Sequence, residues 1–207
     1  MKKQNPFKGI LFAALISFSL LATTAVSASQ VTDTIKTTID QVIEVLKTEQ
    51  FKTDIDAKKA ELRKIINPRF SYKQMSMRSL AKHWNKKSDA EKKEFVDLFS
   101  KLLENSYATK LESYSNEKIK YGEEIIKGKY AMVKTEIVRS DGVINVDYKM
   151  IQEQGNWKVY DFVIEGVSMI KNYRSQFNRI IKKDSYEGLK SKLRDKIKGL
   201  ADDDLKS

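Results

Sequence analysis

KYAMVKTEIVRSDGVINVDYKMIQEQGNWKVYDFVIE, residues 129–165, alternates apolar and polar side chains and is interrupted twice, by SDG and by QGN. A two-residue period puts successive side chains on opposite faces, so each uninterrupted run reads as a strand with one buried side. The interruptions carry the residue types of hairpin turns. KIKYGEEII, starting at Lys118, has the same period. The simplest arrangement is a meander of four antiparallel strands. With Asp141–Gly142 as a two-residue turn, Thr135 faces Tyr148 and Ile137 faces Val146. With GN or EQGN as the next turn, the parity carries into the last strand. One face then holds Ala131, Val133, Thr135, Ile137, Ile144, Val146, Tyr148, Met150, Trp157, Val159, Asp161 and Val163. The other holds Lys134, Glu136, Asn145, Asp147, Lys149 and Lys158, with Tyr160, Phe162 and Ile164 toward one end. An antiparallel sheet with one oily and one wet face is covered on one side only. A one-residue slip would exchange the faces, so the register is a checkable expectation.

The cover comes from helices on either side of the sheet in sequence. Val31, Ile35, Ile39, Val42 and Leu46 recur at helical spacing, and Ile55, Leu62, Ile65 and Ile66 continue the pattern up to Pro68. The residue before a proline avoids helical backbone, so that helix stops there. SYKQMSMRSLAKHW predicts a short helix carrying Met77, Leu80, Ala81 and Trp84. Ser88 and Glu91 form a capping box that starts a long helix with Phe95, Leu98, Phe99, Leu102, Leu103, Tyr107 and Leu111. After the sheet, one helix bears Val167, Ile170, Tyr173, Phe177, Ile180 and Ile181. A second, beginning after Asp184–Ser185, bears Leu189, Leu193 and Ile197. The fold class expected is α+β: a four-stranded antiparallel sheet covered on one face by amphipathic helices.

The first 28 residues stand outside this domain. Lys2, Lys3 and Lys8 precede the apolar run ILFAALISFSLLA, and VSA at 26–28 supplies small residues for cleavage. The apolar run, Ile10 to Ala22, is short for a hydrocarbon core about 30 Å thick. Residues 1–28 therefore read as a removed secretory signal, 29–200 as one domain and 201–207, ADDDLKS, as a frayed tail. The lysine-rich signal, the lack of cysteine and the short length suggest a bacterial periplasm. The chain has no cysteine, so burial alone must hold it together. The formal charge is +11, or +8 once the three signal lysines are removed. The lysines are spread along helices rather than clustered, which suits solvated faces or an anionic lipid surface better than nucleic acid.

Several chemistries are excluded. Without cysteine there is no thiolate nucleophile and no thiolate metal site. His83 is the only histidine, lies beside Trp84, and would have to serve any catalytic triad alone. No glycine-rich phosphate loop and no HExxH metal motif occurs. Glu123–Glu124 and Asp202–Asp203–Asp204 lie in wet segments, with nothing to raise their pKa values for acid–base work. No catalytic residue, metal site or cofactor is expected. What stands out is apolar wealth, which by itself fits a filled core as readily as a cavity. Large rings with polar tips, Tyr107, Tyr148, Tyr173 and Trp157, lie on the oily faces. Asp161 is on the oily side of the sheet, and Arg174 falls between Val167 and Ile170 on the helix that follows. A lone buried charge is costly. Arg174 is thus expected either to pair with Asp161 or to meet an anion at a pocket mouth; buried charges usually find protein partners, which favours the ion pair.

The chain also resembles a known family. FVDLFSKLLENSYATKLESY, residues 95–114, is similar to the central helix of the MlaC family. GNWKVYDFVIEGVSMIKNYRSQF, residues 155–177, resembles that family's signature, and GLKSKL fits near the end. The likeness runs from about Val31 to Gly199. One departure is KHWNKK, where many relatives have glycine in place of Lys82 or His83. The resemblance implies an auxiliary periplasmic protein of the toluene-tolerance or lipid-asymmetry ABC transport system. Such a protein carries phospholipid as cargo between an outer-membrane lipoprotein–porin complex and an inner-membrane ABC transporter with its substrate-binding MCE-domain subunit. It further implies a monomer, a curved sheet and an apolar pocket for acyl chains. Tyr107, Tyr148 and Val167 match pocket positions. Phe99, Leu103, Val133, Ile137, Val146, Met150, Val159, Val163, Ile170 and Tyr173 would complete the wall, with Arg174 and Asp161 as head-group or structural ion pair. The residues alone leave two alternatives open: a carrier of another lipid, such as a hopanoid, and an interaction domain with no ligand.

Overall fold

The computed structural model describes residues 29–112 and 117–204. The expected signal segment, 1–28, lies outside the described residues. Helix α1 (Gln30–Lys47) begins at Ser29, whose side chain accepts a hydrogen bond from the Val31 N–H. Its apolar stripe is buried at Val31, Ile35, Val42 and Val45. A single turn, α2 (Gln50–Thr53), precedes α3 (Ile55–Ile66), which is capped by the Asp54 carboxylate on the Ala57 N–H at 2.9 Å. The helical pattern around Pro68 ends as expected, with Pro68 inside a 3-10 turn, Asn67–Arg69.

Helix α4 (Tyr72–Leu80) ends where Ala81 turns to φ 47°, a left-handed conformation that a side chain seldom adopts. The helix expected through Trp84 is therefore a helix followed by the 3-10 segment Ala81–Lys86. The capping box forms: the Ser88 N–H donates to Glu91 at 2.8 Å, and the Glu91 N–H donates to the Ser88 hydroxyl at 3.2 Å. It starts α5 (Asp89–Glu112). After the sheet comes α6 (Met169–Asp204), broken at Ser185 (φ 76°). There the Ser185 hydroxyl accepts from the Gly188 N–H and opens the second half, at the break expected from Asp184–Ser185. The helix continues through Asp204, so the tail expected from 201 is helical over its first four residues, and 205–207 lie outside the described residues.

The strands are β1 (Lys118–Lys127), β2 (Tyr130–Arg139), β3 (Gly142–Glu153), β4 (Asn156–Ile164) and β5 (Val167–Ser168), in one antiparallel sheet of sequential order. The sheet has five strands where four were expected. Glu165 (φ 47°) and Gly166 (φ 77°) make a tight turn that folds Val167–Ser168 back on β4, so Val167 is in a strand and not in the helix. The β2–β3 turn is Ser140–Asp141, one residue earlier than expected. It pairs Thr135 with Val146 and Ile137 with Ile144, shifting partners by two residues and leaving the faces unchanged. Gln154 (φ 50°) and Gly155 (φ 79°) form the β3–β4 turn.

Two bulges reshape the inner face of the sheet. In β4 an extra residue sits between Val159, opposite Met150, and Asp161, opposite Lys149. A bulge inserts one unpaired residue and thereby exchanges the faces beyond it. Phe162 and Ile164, opposite Tyr148 and Val146, join the oily side, while Val163 lies opposite Asp147. The expectation that Val163 and Asp161 face inward with Val159 is corrected for that reason. In β1 a second bulge, between Tyr121 and Glu124, sets Glu124 opposite Val133. Its carboxylate accepts from the Thr32 N–H (3.0 Å) and hydroxyl (2.5 Å), pinning the start of α1 to the sheet. Burial would raise the Glu124 pKa, but hydrogen bonds from Ser29 and Thr32 hold it below the usual carboxylate value.

The core has two parts. The larger joins α4, α5 and α6 to the far half of the sheet through Phe95, Phe99, Phe177, Met75, Val133, Met150 and Val159. Rings of Phe95, Phe99, Tyr173 and Phe177 pack, mostly edge to face, at 5.0 to 5.8 Å between centroids. The smaller holds Val42, Val45, Leu62 and Ile66, where α1 meets α3. Between the second group and the near half of the sheet the packing is incomplete.

Candidate functional site: an apolar cavity between the first helix and the sheet

The inner row of β2 reads Ala131, Val133, Thr135, Ile137, Arg139, and its burial falls along that order from the solid core to the exposed end. Opposite, β3 offers Met150, Tyr148, Val146 and Ile144. Around the half nearer the β2–β3 turn lies a cavity of about 470 Å³. Helix α1 forms one wall with Thr38, Ile39, Val42, Ile43 and Leu46. Ile66 and Phe70 close the side, and the sheet contributes Ile119, Ile137, Ile144, Val146, Tyr148, Phe162 and Ile164. Of the described residues that line it, only Glu117 and Arg139 carry charge. Arg139 sits at the end of β2 where burial is lost, and Glu117 immediately precedes β1.

The floor is aromatic. Phe162 meets Phe70 edge-on at 5.3 Å and Tyr148 at 5.4 Å. Thr135, buried in the same layer, donates its hydroxyl proton to the Val146 carbonyl at 2.8 Å. Burial pushes the Tyr148 hydroxyl well above the usual tyrosine range. Tyr121, beside Thr135 on β1, is raised to about 12 by burial, with the Asp40 charge adding to it. Both hydroxyls stay protonated at physiological pH, and that of Tyr121 is buried with no hydrogen-bond partner among the described residues.

The cavity takes three of the residues the sequence assigned to a pocket: Ile137, Val146 and Tyr148. Phe99, Leu103, Val133, Met150, Val159, Ile170 and Tyr173 are packed in or against the solid core instead. Val163 is turned away by the β4 bulge, and Val167 is 62% exposed. The side chain of Tyr107 lies outside the described residues. The ion pair expected between Arg174 and Asp161 is replaced. Asp161 accepts from the Ser168 hydroxyl (2.6 Å) and the Ile170 N–H (3.0 Å), with Lys149 at 3.7 Å, and so caps the start of α6. Arg174 is exposed and borders a separate cleft with Lys82, His83 and Asn178. His83 meets Asn178 at 3.1 Å. Among the described residues no three metal-ligating side chains cluster.

The α1 wall escaped the sequence reading although its stripe was visible, because a helix that covers a cavity and one that fills a core share the same period. Phe162 and Ile164 were hidden by the bulge. Arg139 was legible as the last inward residue before the turn.

The MlaC protein model matches residues 36–195. This chain belongs to the MlaC family. The family match spans both the α1 wall and the sheet that bound the cavity. The chain is 25% identical over 150 residues to the intermembrane phospholipid transport system binding protein MlaC of Haemophilus influenzae, covering 70% of each. It is 26% identical over 172 residues to the toluene tolerance protein ttg2D of Pseudomonas putida, covering 81% of this chain and 79% of that one. A phospholipid-binding protein of Ralstonia solanacearum, solved in complex with a phospholipid, has the same fold. Its TM-score is 0.76 at 24% identity, with 84% of this chain and 99% of that one covered.

Proposed function

We propose that this MlaC-family protein is a periplasmic phospholipid carrier. The observation that carries the reading is the cavity itself: a space with mostly apolar walls in a domain otherwise well packed, with Glu117 and Arg139 the charged residues among its described lining. Native interiors leave few voids larger than a water molecule, so an unfilled apolar space of this size calls for an apolar occupant. The name of the relative from Haemophilus supplies the transport system and the cargo class. Acyl chains lie between α1 and the sheet, against Ile39, Val42, Ile137 and Ile144, and the head group stays at the end marked by Arg139.

The energetics set how such a carrier works. Two acyl chains hold roughly 30 methylenes, worth about 24 kcal/mol against water at about 0.8 each. That exceeds the practical ceiling for non-covalent affinity of about 18 to 21 kcal/mol. The carrier, however, exchanges lipid with membrane complexes and not with water. Transfer from a hydrocarbon bilayer to a hydrocarbon pocket is close to neutral, so the lipid is held firmly against escape into solvent and released readily on docking. The donor and acceptor are an outer-membrane lipoprotein–porin complex and an inner-membrane ABC transporter with its MCE-domain subunit, and the traffic maintains outer-membrane lipid asymmetry. The protein works as a monomer after removal of its signal, and its basic faces speed encounter in a salt-sensitive way.

The test is organic extraction and mass spectrometry of protein purified without detergent from its native compartment. Diacyl phospholipid at about one molecule per chain is expected. Protein that carries no lipid, or a polycyclic one, would overturn the proposal.

A further inference from the structure

The smaller of the two cores belongs to one wall of the cavity. Its buried residues, Val42, Val45, Leu62 and Ile66, come from α1 and α3, with Phe51 of α2 packed on them and Phe70 at the root of the hairpin. The larger core holds the far half of the sheet to α4, α5 and α6. Helix α1 is fixed at its start, where Val31 and Ile35 enter the larger core and Thr32 bonds to Glu124. The chain is fixed again after α3, where the Ser71 N–H donates to the Val159 carbonyl at 2.9 Å. Between these points the hairpin of α1, α2 and α3 carries its own interior. It can turn about them as one piece without unpacking the larger core.

Glu104 of α5 takes hold of this hairpin where α3 ends. Its carboxylate accepts from the Asn67 side-chain amide at 2.9 Å, and the Arg63 Nε lies 3.2 Å from the other oxygen. The Tyr72 hydroxyl donates to the Asn67 side-chain oxygen at 2.8 Å, which orients the amide toward Glu104. The Glu104 side chain is 15% exposed, sheltered enough for these bonds to outweigh an ordinary surface pair.

We infer that Glu104 is the clasp of a moving pocket wall: the α1–α3 hairpin swings from the sheet to pass lipid when the bonds of Glu104 to Arg63 and Asn67 part, and closes when they form. The inference rests on the reading of the cavity as a phospholipid pocket. Ile39, Val42, Ile43, Leu46 and Ile66 line the wall toward the cavity. In the empty protein they face open space, so little dispersion contact with the sheet opposes the swing. The tie that remains is polar. Its carboxylate, guanidinium and amide are rehydrated on opening, so it breaks and reforms at small net cost, as an apolar seal would not.

The experiment loads the full-length mature protein with a fluorescent phospholipid and times its release to excess phosphatidylcholine vesicles, then times uptake by the emptied protein. Glu104→Gln keeps the size of the side chain and loses its charge. Release and uptake should both quicken about tenfold, the worth of one hydrogen bond to a charged acceptor. Affinity should stay within about threefold, because the clasp closes the empty and the loaded wall alike. The chain has no cysteine, so Arg63→Cys with Glu104→Cys places the only two thiols across the clasp. This double variant should exchange lipid as fast as Glu104→Gln until a short bismaleimide bridges the thiols. It should then hold its lipid, with release slowed at least about tenfold. A merely structural role for Glu104 would not make exchange depend on the bridge. A bridged protein that releases lipid at the unbridged rate would overturn the inference while leaving the pocket intact. So would Glu104→Gln protein that exchanges at the rate of the unmodified protein. Unmodified protein that takes up no phospholipid would overturn the pocket reading and the inference together.

Discussion

Replacing Ile137 by aspartate puts a carboxylate on the sheet wall of the cavity, between Ile119 and Ile144 in the cross-strand row. In the empty protein water reaches the open space, so the charge remains solvated and the fold survives. The cost is the lost strand preference, within about 1 kcal/mol, which for a chain of this size lowers Tm by about 2–4 °C. In the loaded protein the same carboxylate faces hydrocarbon. Aspartate at the centre of a membrane costs about 2.5 to 3.5 kcal/mol, and each 1.4 kcal/mol is tenfold in affinity. Lipid binding should therefore weaken by about 60-fold to about 300-fold, out of proportion to the small loss of stability. Burial raises a carboxyl pKa, so lipid binding would take up a proton, and the deficit should shrink as pH falls through the aspartate range. Displacement of a fluorescent phospholipid, read beside thermal melting, measures both quantities. Val167→Asp is the comparison: at 62% exposure it should leave affinity and stability near wild type. A folded Ile137→Asp protein with wild-type affinity, or a Val167→Asp protein that has lost its lipid, would refute the placement of the pocket against α1.

Two further outcomes concern the groups around the site. Asp161→Ala leaves the buried Ile170 N–H and the Ser168 hydroxyl without their acceptor and should cost about 1–3 kcal/mol in urea denaturation. Arg174→Ala should change little, within about 0.5 kcal/mol, and the reverse ranking would restore an ion pair between them. The Ser88 N–H, the Lys87 ammonium and the Ser88 hydroxyl hold Glu91 down from 4.5 to about 2. A depressed carboxylate stabilises the fold above its unfolded pKa, and that contribution is lost as pH falls from about 4.5 toward about 2. The urea midpoint of Glu91→Gln should lie below wild type at neutral pH and converge with it across that window; a gap that stays constant would contradict the capping assignment.

The MlaC resemblance and the meander were legible because both depend on local order: alternating side chains, turn residues and short motifs in sequence. Thr135, Ile137 and Val146 were placed on the correct face even though the turn was misplaced by one residue, since a shift of two partners preserves parity. Two features are not encoded locally. The β4 bulge depends on how the strand meets its neighbour, and a single unpaired residue there moved Phe162 and Ile164 inward and Val163 out. Whether an apolar stripe fills a core or lines a cavity depends on how closely the opposing surfaces approach. Phe99 and Tyr173 found partners within 5.0 Å, while Ile39 and Ile137 face an open space. Periodicity records which side chains avoid water. It carries no measure of the distance between the two surfaces that do so, and that distance separates a solid interior from a pocket.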